Sequence, residues 1–213
     1  MTRPSLTRDR VVDAASRVAD AQGLVGVSMR SVGRELGVEA MSLYHHVANK
    51  DALLDGLADW VFERIDTPSA SGPWRLEMER RARSARTVLA AHPWGLGLIE
   101  SRRSPGPATL THHDAVIGCL RASGFSITLA AHAFSVLDAY VFGFVLTEVN
   151  LPFHPGESPE DFIADLGPVA AQYPHLAEMI AEHIVGHDYS YGDEFDHGLA
   201  LILDGLEARF DRA

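Results

Sequence analysis

The chain has 213 residues, 46% of them hydrophobic and 22% charged, which is enough for one or two globular domains with buried cores and excludes a disordered chain. A net charge of −11 would argue against nucleic acid as a partner if it were spread evenly. Residues 1–50, however, hold seven Lys/Arg against five Asp/Glu, a balance of +2, and leave eleven against twenty-four, or −13, for the remainder. A mildly basic head on an acidic body is compatible with DNA contact confined to one end, the body's charge being repelled from a duplex and screened over about 10 Å at 0.1 M salt.

Cys119 is the single cysteine, so an intrachain disulfide and a cysteine-based zinc site are excluded and a reducing cytoplasm is expected. The opening MTRPSLTRDR has basic residues without a following apolar run, and no signal peptide is expected. Residues 1–6 read as a flexible arm whose Arg3 either reaches a neighbouring groove or stays in water. A helix is predicted from a Thr7 cap to about Ala21, with Val11, Val12, Ala15, Val18 and Ala19 on its apolar face and Gly23 and Gly26 at its end.

Ser28 to Leu54 organises the head. Val32 and Leu36 lie one helical turn apart, Gly37 interrupts, and Leu43 and Val47 repeat the spacing. Two short amphipathic helices joined by a tight turn follow, a helix-turn-helix. Ser28 and Asn49 are candidate caps, and Gly37 suits a turn that needs positive φ. With Leu43 and Val47 inward, Met41, Ser42, Tyr44, His45 and His46 face mostly outward, and Lys50 opens the next helix. Their hydroxyls, imidazoles and ammonium suit phosphates and base edges, while Ala40 and Met41 suit thymine methyl groups.

The segment reads L-G-V-E-x-x-S-L-Y-x-H-V-x-N-K-x-A-L-L, with Arg30 seven residues before Gly37. Over roughly residues 7 to 65 it closely resembles the N-terminal domain of TetR-family transcriptional repressors. The resemblance implies an all-α fold in which Ser28, Met29 and Arg30 open the supporting helix near the DNA backbone. It also implies that Ala40, Met41, Ser42, Tyr44 and His46 face the operator and that Lys50 clamps a phosphate. Ala40 and Met41 depart from the family's tetracycline-responsive members, so their operator sequence does not carry over.

A fourth helix from Lys50 to about Ile65, roughly 24 Å long at 1.5 Å per residue, is expected to act as a lever between head and body. DTPSASGP, residues 66–73, has linker composition. The expected division is therefore a DNA-binding domain at 1–50 with a connecting helix 50–65, and a ligand-binding and dimerisation domain at 66–213. Helices are predicted over Trp74–His92, Trp94–Arg102, Leu110–Ser123, Phe125–Val149, 159–172, 174–185 and Asp193–Phe210. The arginines of the first, Arg75, Arg80, Arg81, Arg83 and Arg86, read as a solvated, ion-paired face.

The helix at 125–149 is apolar around most of its circumference, yet His132 and Asp138 argue against a membrane span. With the helix at 193–210, whose Gly198 and Gly205 permit close approach, it either lines an intrachain core or pairs with a second copy. Pairing would make a four-helix bundle, as the resemblance also implies.

Trp94, Leu98, His113, Ile117, Phe134, Leu137, Asp138 and Tyr140 are the candidate lining of a pocket for a small hydrophobic or amphipathic effector. Asp138 is the least easily explained as plain core, since an unpaired buried carboxylate is costly. Nine of eleven histidines lie beyond residue 50, which leaves a metal-responsive DNA-binding sensor as the alternative. Its candidates are weak: His112 and His113 point about 100° apart on a helix, and His183 and His187 flank Gly186. The resemblance puts the family's metal-holding histidine near Ile99 here and an acid near Glu148, so tetracycline is not expected as the effector. No metal, cofactor or catalytic residue is expected, there being no G-x-S-x-G, phosphate loop or activated cysteine.

Overall fold

Thr7 Oγ1 accepts a hydrogen bond from the Arg10 amide at 3.3 Å and starts α1 (Arg8–Gly26). The computed structural model describes residues 5–99, 101–102, 104–151, 172–184 and 189–210, and every element among them is helical or a turn. The predicted apolar face of α1 is buried, and the helix runs past its expected end, kinking where Gly23 takes φ 65°. Ser28 then caps α2 (Met29–Leu36) in a reciprocal arrangement: its hydroxyl accepts from the Ser31 amide at 3.1 Å, while Ser31 Oγ accepts from the Ser28 amide at 2.9 Å. Gly37 closes α2 at φ 66°, ψ 37°, the left-handed turn that a side chain would strain.

The second helix of the hairpin, α3 (Ala40–Leu43), is regular for one turn and continues as turns through His46. Burial of Leu43 and Val47 still fixes its outward face. Asn49 accepts from the Ala52 amide at 2.8 Å and starts α4 (Lys50–Phe62), which stops short of Ile65 although Ile65 stays in the core.

Residues 66–73 do not behave as a free linker. The Asp66 amide donates to Ser84 Oγ, the Ser69 amide to Glu77, and Arg80 to the Thr67 carbonyl, so the segment is strapped along α5 (Trp74–Ala91). A 3₁₀ turn at Pro93–Gly95 leads to α6 (Leu96–Ile99), followed by α7 (Pro107–Ala122) and α8 (Ile127–Glu148), whose cap is Ser126. After α9 (Pro174–Met179) and a wider turn over Ile180–Ile184, the last helix is α10 (Glu194–Phe210). The helix expected at 159–172, save its last residue, and Arg3 and His187 lie outside the described residues.

Helices α5, α7, α8 and α10 pack on one another, and α4 lies between α1 and α7, so one buried apolar core runs from the head into the body. A Cβ at Gly198 would collide with the Tyr140 hydroxyl. That glycine therefore serves close packing of α10 on α8 within one chain, the close approach expected of it.

Candidate nucleic-acid interface and effector pocket

Met41, Tyr44, His45 and Lys50 are on the surface, with Met41 72% and Tyr44 45% exposed, and Arg30 is exposed on α2. Ala40, Ser42 and His46 are half-buried at the edge of the same face. One expected member differs, and Ser28 takes its expected cap. Met29 is 8% exposed and belongs to the core, because it falls on the same stripe of α2 as Val32. Ser28 has its hydroxyl engaged in the cap described above.

The expected pocket residues do not converge. Trp94 and Leu98 are buried at the junction of head and body, where the Trp94 indole donates to Asp20 at 2.6 Å and tilts against Trp60. Tyr140 faces α10, donating to the Phe195 carbonyl at 2.9 Å and stacking on the Phe195 ring. His113, with Phe134 edge-on to it at 5.1 Å, lies nearer the middle of the body, Leu137 is buried, and Ile117 is half-buried.

Asp138 does have a partner, and it lies within the chain. Arg81, 2% exposed, donates from Nη2 to Asp138 Oδ1 at 2.5 Å and from Nε to His112 Nε2 at 3.0 Å. This corrects the reading of all five arginines as a solvated face: Arg75, Arg80 and Arg83 pair with acids at the surface, whereas Arg81 joins α5, α7 and α8 in the interior. Arg86 holds Glu148 with two nitrogens at 3.0 and 2.5 Å, so the acid that the resemblance associates with a metal is occupied by a guanidinium. Among the described residues no three His, Cys, Asp or Glu side chains gather as a metal site, and His183 pairs with Glu194.

Neutral His112 is fixed by this surrounding. Burial first, then the Arg81 charge, then His113, lower its pKa from 6.5 to about 3. The unfolded chain takes up a proton below pH 6.5 that the folded chain refuses until about pH 3, so stability present above pH 6.5 is lost as the pH falls. Between pH 7 and 5 the loss from this one group is about 2 kcal/mol. Urea unfolding should therefore show His112→Gln losing less stability over that interval than the parent, by about that amount; equal losses would refute it.

Sequence reasoning missed Asp59. It is 5% exposed on α4 and accepts from the Thr109 amide at 3.0 Å, the Thr109 hydroxyl at 2.8 Å and the Ala108 amide at 3.3 Å. The residue before α7, Gly106, has no side chain to cap it, so the helix is capped from α4. Arg102 adds a bond from Nε to Asp55 at 2.6 Å. Phe62, one turn further along α4, lies 5.4 Å from the His112 ring and 5.1 Å from that of His113. The helix that carries Lys50 at one end is thus tied to the interior of the body at the other.

A helix-turn-helix head whose connecting helix α4 packs into a helical body has the architecture of a DNA-binding regulator. Residues 11–57 match the family described as bacterial regulatory proteins, tetR family, and residues 67–210 match the tetracyclin repressor-like C-terminal domain. The chain belongs to the TetR family of transcriptional regulators and is not an enzyme. It is 35% identical to the HTH-type transcriptional repressor DrrR1 of Streptomyces coeruleorubidus, over 96% of this chain and 78% of that protein. It is 31% identical to the class A tetracycline repressor of Escherichia coli, over 96% and 92%. Among solved structures, ActR of Streptomyces coelicolor in complex with actinorhodin superimposes with a TM-score of 0.77 at 30% identity, covering 95% of this chain and 96% of that one.

Proposed function

We propose that the protein is a homodimeric repressor that binds palindromic operator DNA with its two heads and is released by a small hydrophobic or amphipathic molecule held in the body. The observation that carries this reading is the Asp59 cap, because it joins the helix bearing Lys50 to the helix bearing His112. A ligand in the body acts on DNA affinity only by favouring one position of the head over another, and a mechanical tie of this kind supplies the difference. The ActR complex with actinorhodin and the naming of DrrR1 as a repressor favour the same reading.

In this reading residues 1–50, with the connecting helix to 65, contact DNA, and 66–213 sense and dimerise. Ala40, Met41, Ser42, Tyr44, His45 and His46 meet the major groove. Ser28 and Arg30 lie near the backbone, and Lys50 meets a phosphate at the N-terminus of α4, where free amides favour an anion. Two heads about 34 Å apart engage successive major grooves. The dimer forms through α8 and α10. Although α8 is long and apolar enough to cross a membrane, its buried Asp138–Arg81 pair suits a protein interior. Only 39% of its most apolar window is buried within the chain. Leu129, Val136, Leu201, Ile202 and Leu206, with His132 and Arg209, line a mainly apolar groove of about 430 Å³ between the two helices, and Leu201 is 62% exposed. A second copy covers such a face. The regulator works in the cytoplasm, with its operator.

Two tests follow. Fluorescence anisotropy on duplexes selected from random DNA should show Tyr44→Ala and Lys50→Ala each weakening binding by roughly fivefold or more without unfolding the protein. Unchanged affinity at fixed salt in both would discard the assigned surface. Leu201→Glu should shift sedimentation from dimer to monomer and lower duplex affinity with it, whereas a dimer that persists would move the interface elsewhere.

A further inference from the structure

Two buried side-chain polar atoms among the described residues lack a hydrogen-bond partner, Arg81 Nη1 and His112 Nδ1, and they belong to one cluster. The chemistry of that cluster fixes what they are. A guanidinium has no lone pair to offer, so His112 Nε2 must accept the bond from Arg81 Nε and the imidazole proton resides on Nδ1. Both orphaned atoms are therefore donors, on side chains 2% and 1% exposed. Buried donors of this kind are rarely left unpaired, because each retains its loss of hydration. The Arg81 charge is balanced by Asp138, so the site needs an acceptor but no net charge. Aromatic walls stand beside it: Phe62 is tilted against His112, and the His113 ring is edge-on to both Phe62 and Phe134.

We propose that Arg81, His112 and Asp138 form the polar end of the effector site, and that they select a planar aromatic molecule bearing a neutral acceptor oxygen, a ring ketone or quinone-type carbonyl, which receives hydrogen bonds from Arg81 Nη1 and His112 Nδ1. The proposal rests on the ligand-responsive reading above and names the chemistry of the ligand. A metal ion is refused, since both open positions are donors. A plain hydrocarbon would leave the two donors unpaired. Because both atoms are sealed from solvent, entry parts the neighbouring rings, and Phe62 transmits that movement to α4.

The test compares 9-fluorenone with fluorene, which share a tricyclic skeleton and differ by one carbonyl oxygen. Equilibrium dialysis of the full-length protein, without DNA, should show saturable binding of fluorenone, at least tenfold tighter than that of fluorene. His112→Phe keeps a ring and removes one of the two donors, so it should cut the preference by roughly fivefold or more, leaving only what Arg81 Nη1 supplies, while circular dichroism stays unchanged. If that variant fails to fold, the His112 Nδ1 proton resonance in the parent protein should shift with fluorenone and not with fluorene. No saturable binding of fluorenone, equal affinity for the two probes, a preference undiminished in folded His112→Phe, or an unmoved Nδ1 resonance overturns the proposal. Duplex binding is scored separately in the same preparation. Its absence removes the repressor reading and leaves a fluorenone preference standing, whereas lost preference with intact duplex binding removes only this site.

Discussion

Replacing Arg81 with methionine should lower the free energy of unfolding by about 3–5 kcal/mol, the effect expected when one partner of a buried ion pair is removed and the other stays. The Arg81 and Asp138 side chains are 2% and 10% exposed. Methionine fills part of the arginine's volume but leaves the Asp138 carboxylate in an apolar helix without its donor, and it also removes the bond to His112 Nε2. The double variant Arg81→Met/Asp138→Leu should recover most of the loss, because an apolar pair of similar size needs no compensation for desolvated charge. Guanidinium unfolding at equal protomer concentration measures both, since a dimer's apparent stability depends on concentration. A single variant within 1 kcal/mol of the parent would show that the pair is better hydrated than its burial implies.

The starts of the head's helices were legible because their signals are local. Thr7, Ser28 and Asn49 each cap within three residues of themselves, and Gly37 takes its left-handed turn from its own lack of a side chain. The outward face of the hairpin followed from Leu43 and Val47 alone, and only Met29 was misdirected, though its three-residue spacing from Val32 marked it as core. The body's polar centre was hidden for the opposite reason. Arg81 sits on the stripe of Met78, Ala82, Ala85 and Leu89, a helical periodicity that assigns it inward, but its charge and its arginine neighbours suggested a solvated face. Its partners come from α7 and α8, 31 and 57 residues away, and no spacing rule connects such positions. Composition likewise marked Trp94, Phe134 and Tyr140 as pocket material. Only packing sends Trp94 to the head, Tyr140 to α10 and Phe134 to the neighbourhood of His113.

Asp59 connects the two halves most directly, and Asp59→Ala should cost about 2–4 kcal/mol of stability by leaving the Thr109 amide, the Thr109 hydroxyl and the Ala108 amide without their acceptor in a buried setting. Asp59→Asn, which keeps one acceptor oxygen, should lose less. Stability alone would make Asp59 a helix cap that happens to lie on another helix. Its place on α4 makes a second readout decisive. Lys50 opens α4 and Asp59 lies nine residues on, so releasing α7 frees the helix that positions the DNA-facing surface. In folded protein at 25 °C, Asp59→Ala should therefore bind a selected duplex more weakly by roughly fivefold or more, the range in which coupling between distant sites falls. Phe62 and Arg102 also link α4 to the body, so the head stays attached and the loss remains partial. Destabilisation with unaltered duplex affinity would mean that the cap stabilises the body without positioning the head, and that a ligand's effect must travel through Phe62 instead.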